Sequence, residues 1–391
     1  MSSPTLDQTQ AAALSLTSGS VGQVLLSVER ALAGNQAWDQ ARTGLRALAA
    51  APVDAGGHTG LFYGAPALAF VLHTAQADGR RRAQATLDLL DDHVSRLARV
   101  RLAAAERRAV ASLAPGFAEY DLFRGLVGFG ALLLLRQPGS DLTANVLEYL
   151  VGLTRPHVGH RGSRPGWWVE HDPDPATPTP GGHANLGMAH GAAGLLALLG
   201  IAARRGVTVD GQLDAIRTLL DWFDRWRQDG PDGTWWPQWL TYDELRTGRP
   251  AHQHQPRPSW CYGTPGIARA IQIGAIATND QAHRATAEAA IASALTSAQV
   301  ARLTDPGLCH GVAGLYQSAY RASLDAADPT ISDRLPTAAG RLTQANVDVA
   351  GDAFDGDPSF LTGRTGVELA SSTLNQGLSP ISGWDACLLI S

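Results

Sequence analysis

The chain has no lysine: its 31 basic residues are all arginine, set against 36 acidic ones, for a formal net charge of −5 over 391 residues. Without lysine there is no Schiff-base amine and no phosphate-loop lysine. Without a clustered basic excess there is no nucleic-acid footprint. Cysteine is nearly absent too, with Cys261, Cys309 and Cys387 alone. An odd, small number is no disulfide framework and suits a reducing compartment. No apolar run reaches the ~20 residues that span a bilayer, and the N-terminal MSSPTLDQTQAAALSL lacks the basic start of a secretory signal. A cytoplasmic protein without a membrane span or nucleic-acid partner is expected.

What the chain does have is apolar content, 45% of residues, enough for a large core. It also has a repeat. One short phrase recurs seven times, as SLTSGSVG (15–22), GLFYGAPA (60–67), DLFRGLVG (121–128), GMAHGAAG (187–194), SWCYGTPG (259–266), GLCHGVAG (307–314) and SFLTGRTG (359–366). The shared glycines Gly19, Gly64, Gly125, Gly191, Gly263, Gly311 and Gly363 lie 45 to 72 residues apart, room for one helical hairpin plus loops each. The first position is always Ser, Asp or Gly, residue types favoured at helix N-caps, so a helix is expected to start at or near each phrase. Apolar stretches such as GFGALLLL (128–135) and GLLALLGIAA (194–203) read as helices packed on most sides. Amphipathic stretches such as 81–100 and 214–228 read as an outer layer. The expectation is an all-α single domain over residues 1–391, seven helical hairpins with inner and outer helices. Such repeats stack as an open solenoid or close into an α/α toroid.

In a closed ring the inner N-termini share one end, and the third and fourth phrase positions line it. There they bring together Cys261, Tyr262, Cys309, His310 and His190. A lone buried cysteine is ordinarily core. Two in one repeat position, the second followed directly by histidine, read instead as a metal set. Cys261, Cys309 and His310 would hold one Zn²⁺ through three ligands and keep a fourth position for water or substrate. Helix N-termini favour the thiolate form of such cysteines. Two thiolates and a neutral imidazole make the zinc site neutral, and a third thiolate would make it anionic and electron-rich.

The motifs WCYG (260–263), CHG (309–311) and AHGAAG (189–194), set among the seven glycine phrases, resemble those of the LanC-type lanthipeptide cyclases, from Leu14 to the C-terminal WDACLLIS. The resemblance implies an α/α toroid with one zinc ion. It implies Michael addition of cysteine thiols to dehydroalanine or dehydrobutyrine in a dehydrated precursor peptide, with a separate dehydratase and an exporter as partners. It also implies roles for single residues. His190 would move a proton, Asp121 would orient a histidine or guanidinium, and Arg257 would stabilise enolate charge with help from Tyr262. Each has a plainer reading: a core histidine, an N-cap, a loop arginine, a packed aromatic ring. Two other functions compete, a thiol-binding protein that holds glutathione without closing rings, and a zinc-dependent thiol alkyltransferase of the prenyltransferase sort. His252 and His254 in AHQHQPRP read as solvated polar sequence, and Cys387 as core. The Trp-rich insertions 164–183 and 229–248 read as long loops that cover the ring or contact peptide.

Overall fold

The computed structural model describes residues 14–159, 162–174, 176–251, 254–350 and 356–391. Seven helices follow the seven phrases: α1 (Ser20–Leu32), α3 (Ala65–Thr74), α6 (Leu126–Arg136), α8 (Ala192–Arg204), α11 (Thr264–Thr278), α14 (Val312–Asp325) and α16 (Arg364–Gln376). Each packs on the next, and α16 returns to α1, so the ring is closed: an α/α toroid. The expected outer layer is α2 (Trp38–Ala50), α4 (Gln84–Val110), α7 (Asp141–Leu153), α9 (Gln212–Trp226), α12 (Gln281–Ala294) and α15 (Thr330–Ala350). The apolar stripe explains each placement. In α9 the buried residues are Gln212, Ala215, Ile216, Leu219, Leu220, Phe223 and Trp226, a stripe along one face, whereas α6 is buried from Leu126 to Leu134. Short turns α5 (Phe117–Tyr120), α10 (Tyr242–Thr247) and α13 (Ser297–Val300) lie between them.

Among the described residues there are six outer helices. The last inner helix is followed instead by a C-terminal segment that crosses the ring's interior. Leu388 O accepts from Trp260 Nε1, Ile390 O from Arg269 Nε, and Asp385 takes a two-armed ion pair from Arg321. Ile381 N and Ser382 N donate to Glu29 of α1. Cys387 is buried there, as a core cysteine should be. None of the described helices is long and apolar enough to cross a membrane.

Helix starts differ from expectation. The N-cap of every inner helix is the phrase glycine, four residues after the Ser, Asp or Gly position. Those four residues form a turn of their own, closed for instance by Gly19 N to Ser15 O and Gly263 N to Ser259 O. The chain doubles back so tightly that a Cβ on Gly125 would stand 2.1 Å from Asp121 N, and one on Gly266 1.9 Å from Trp260 O. No side chain fits at either contact.

These turns pair with one another around the mouth. Main-chain hydrogen bonds run from Leu16 N to Phe62 O (2.9 Å), Leu122 N to Ala189 O (3.2 Å) and Met188 N to Cys261 O (2.8 Å). They continue from Cys261 N to Cys309 O (3.1 Å), Cys309 N to Leu361 O (2.8 Å) and Phe360 N to Thr17 O (3.0 Å). At the seventh junction the Phe62 and Phe123 rings stack at 4.5 Å. The third phrase position is therefore a belt with fixed spacing.

The Trp-rich insertions, read as loops, hold or adjoin strands β1 (His157–Gly159), β2 (Gly162–Arg164), β3 (His183–Asn185), β4 (Gln228–Gly230), β5 (Gly233–Trp235) and β6 (Trp239–Thr241). Strands β1 and β2 form one hairpin and β4 and β5 another. Strand β3 pairs antiparallel with β6, His183 opposite Thr241 and Asn185 opposite Trp239, so the two insertions are joined. Trp167, Trp168 and Trp236 are buried among them.

Substitution at the close approach tests its cost. Gly266→Ala is expected to destabilise the fold by roughly 1–3 kcal/mol through overpacking. Gly340→Ala, in the middle of α15 where a Cβ meets nothing within 4 Å, is expected to stabilise it by roughly 0.5–1 kcal/mol. Urea midpoints of the two variants against the unaltered chain provide the readout.

Candidate metal centre and its surroundings

Consecutive turns of the belt carry Cys261 before α11 and Cys309 with His310 before α14. The two thiols and one imidazole nitrogen lie within 4.8 Å of one another, the one group among the described residues arranged to hold a metal ion. Cys261 is buried, while Cys309 and His310 are partly open. Soft thiolates with imidazole are a donor set suited to zinc, and the half-open surroundings leave a coordination position to the mouth.

The proton distribution fits that use. The Cys309 thiol donates to Cys261 and pulls the Cys261 pKa well below the usual thiol range, with His310 and Ser259 adding to the effect against burial. The same bond, reinforced by burial, raises Cys309. The pair is thus biased so that Cys261 is the more readily ionised sulfur, and a bound divalent cation would favour the thiolate form of both. His310 is raised to about 9, first by its hydrogen bond to Asp305 and then by Cys261. Its Nε2 lies 3.1 Å from Asp305 Oδ2, which directs Nδ1 to the sulfurs. Burial tends to raise the Asp305 carboxyl, and hydrogen bonds from His310 and Gly307 N outweigh it.

His190 stands on the preceding turn but one from Cys309, at the head of α8. Its Nδ1 is 2.6 Å from Asp121 Oδ2, and its ring stacks on Phe117 and Phe123, each at 5.1 Å. An ionised carboxylate accepts only, so Nδ1 carries the hydrogen and Nε2 is left as the basic atom. Asp121 also caps: its Oδ1 accepts from Arg124 N at 2.7 Å and Gly125 N at 2.9 Å. The two readings of this carboxylate, cap and orienting group, coincide in one side chain. Tyr120 O–H reaches both Trp167 O and His190 O, fixing the turn from behind.

Tyr262 joins the two halves. Its ring centroid is 6.1 Å from that of His190, and the Asn185 side chain of β3 lies within reach of its phenol. Burial, with the neighbouring thiols, pushes that phenol well up, so it stays a donor. Arg257 is exposed before the Cys261 turn, and its charge is felt at Asp305, Cys309 and His310. His254 is exposed, and His252 lies outside the described residues.

Three neighbours were missed from sequence: Asp305, Phe117 and Asn185. Only Asp305 left a signal there. Arg257-Pro258, Asp305-Pro306 and Asp357-Pro358 stand two residues before successive phrases, a charged position in register with the repeat.

The profile of the "Lanthionine synthetase C-like protein" family matches residues 10–389. The "Nisin biosynthesis protein NisC" of Lactococcus lactis subsp. lactis is 26% identical over 202 residues, 51% of this chain and 48% of that protein. The chain therefore spans about half the length of the curated relative it matches. A solved structure titled "Nisin cyclase" superposes with a TM-score of 0.81 at 21% identity, covering 98% of this chain and 94% of that one.

The Asp305 contact carries its own expectation. Asp305→Asn should lower zinc affinity by about 10–100-fold, the usual cost of losing a carboxylate behind a ligating histidine. Competition with a chromophoric chelator measures this without any turnover.

Proposed function

Because the chain belongs to the lanthionine synthetase C-like family, we propose that it closes thioether rings in a dehydrated precursor peptide. A cysteine thiol of the peptide adds across the Cα=Cβ bond of a dehydroalanine or dehydrobutyrine in the same peptide. The observation that carries this reading is the meeting of two unlike groups at one mouth. The Cys261–Cys309–His310 cluster is one, and the His190–Asp121 pair, bridged to it by Tyr262, is the other.

Cys261, Cys309 and His310 would hold a zinc ion, which supplies Lewis acidity that keeps a substrate sulfur deprotonated at neutral pH. The protein's own residues do the rest. His190 Nε2, basic because Nδ1 is committed to Asp121, takes the thiol proton. The sulfur then bonds to Cβ, the π pair moves towards the carbonyl, and the enolate is protonated at Cα. His190, holding the proton it took, is the donor that balances this step. Arg257 and the Tyr262 phenol stabilise the enolate oxygen while it bears charge. The Phe117 and Phe123 faces hold the imidazole in plane, so its lone pair keeps one direction.

The rival readings lack equivalent support. A thiol-holding protein has no need of an oriented base beside the metal set, and among the described residues at the mouth none is specific to an isoprenoid donor. The proposed setting is cytoplasmic, where the cysteines stay reduced. A separate dehydratase supplies the substrate, and an exporter takes the product.

Two substitutions separate metal from base. Cys309→Ala should strip zinc and abolish accelerated ring closure. His190→Ala should keep zinc and lose about 10²–10⁴-fold in rate, the span of a positioned acid–base group. Metal content by elemental analysis, with thiol consumption in a dehydrated peptide, gives both readouts. Full zinc in Cys309→Ala contradicts the ligand assignment.

A further inference from the structure

Behind the wall that carries His190 is a cleft of about 360 Å³ that none of this chemistry uses. The end of α4 with the chain after it, the last turn of α7 with Arg155 and Pro156, and His157 of β1 with Arg164 of β2 and the residues after it form its walls. Tyr149, Leu153 and Trp168 give it an apolar floor, and Leu113, 61% exposed, sits at its edge. Against that floor stand guanidinium groups that differ in their state.

Arg108 is fully engaged: Nε and Nη2 donate to Glu119, and Nη1 to Leu113 O. Arg164 is not. Its side chain is only 12% exposed, and its Nε is buried with no hydrogen-bond partner among the described residues. The nearest carboxylate, Glu170, is 3.6 Å away on a side chain 60% exposed, too far for a hydrogen bond. The guanidinium otherwise lies over the Trp168 ring, 5.8 Å from its centroid. Glu170 offsets the charge only at ion-pair distance, so the buried Nε donor itself stays without a hydrogen bond; that is unfavourable, and a planar carboxylate is the group whose geometry answers it. Arg155, exposed on the same wall, adds positive charge.

The occupant also needs apolar groups for the floor, and main chain suits the place. Strand β2 pairs with β1 alone among the described residues, leaving an edge that an extended peptide can join. α5 connects the cleft to the proposed catalytic wall through the residues it touches on each side. Glu119 of that turn is held by Arg108 and the Tyr149 hydroxyl on the cleft side, while Phe117 of the same turn stacks on His190. A peptide anchored here would thus be held behind the same turn that backs His190.

We infer that this cleft docks a segment of the substrate peptide in which a carboxylate side chain meets Arg164 and adjoining apolar side chains cover Trp168 and Tyr149; the identity of the peptide as substrate rests on the cyclase reading. The test uses the full-length, zinc-loaded protein and two fluorescein-labelled heptapeptides, one alternating leucine with glutamate, the other leucine with glutamine. Fluorescence anisotropy should show the glutamate peptide binding at least about tenfold more tightly, the worth of one charge-assisted contact. Arg164→Gln should erase that preference, and Leu113→Asp, which alters only the exposed edge, should weaken the same peptide. Zinc content should be unchanged in both variants. No binding, equal binding of the two peptides, or an undiminished preference in Arg164→Gln overturns the inference. Displacement of the peptide by an equal concentration of free glutamate also overturns it, by giving the cleft to a small carboxylate. The readout needs no ring closure, so a protein that binds the glutamate peptide yet closes no ring refutes the cyclase reading and leaves the cleft standing.

Discussion

The main-chain bonds between neighbouring turns at the mouth are the constraint on which the rest depends. Cys261 N to Cys309 O and Cys309 N to Leu361 O fix how far apart successive third positions stand. Two cysteines placed there have their sulfurs brought together by backbone geometry rather than by their own attraction. The glycines make this pairing possible. Gly125, Gly191, Gly263, Gly311 and Gly363 let their inner helices begin against the carbonyls and amides of the chain just before them, at a distance that a Cβ forbids. Helix, turn and donor position are thus one unit, copied around a circle.

That copying explains how much could be read without coordinates. Seven phrases implied seven inner helices, and the third and fourth positions named Cys261, Cys309, His310, His190 and Tyr262 as neighbours. Closure could not be read, because local periodicity is the same in an arc and in a ring; it appears in the contact of α16 with α1 and in the bond of the seventh turn to the first. The helix starts were misplaced for a physical reason. Ser, Asp and Gly cap turns as readily as helices, and Asp121 caps Arg124 N and Gly125 N before the helix has begun. Phe117 and Asn185 left no trace, since they reach the site from a single turn and from a strand outside the phrase. The insertions hid their pairing because β3 and β6 are distant in sequence and three residues each.

Charge is arranged with the same economy around the candidate centre. The bond between Cys309 and Cys261 lowers one thiol and raises the other, and His310 is raised chiefly by its bond to Asp305. Across the mouth, Asp121 anchors the opposite imidazole, so each histidine has a carboxylate behind it and a different face forward. The distinction between a ligand and a base is then a matter of what the ring faces: the two sulfurs for His310, the aromatic wall of Phe117, Phe123 and Tyr262 for His190.

The bond from Phe360 N to Thr17 O has a consequence for how the molecule is made. It seals the first turn to the seventh, partners more than three hundred residues apart along the chain. Until that seam forms, the arc of helices has two raw ends, each showing an apolar flank that a neighbour should cover. Closing so long a loop is slow, because the entropy is lost before the contacts reward it. The half-assembled arc, rather than the finished ring, is the species most prone to stick to its own kind.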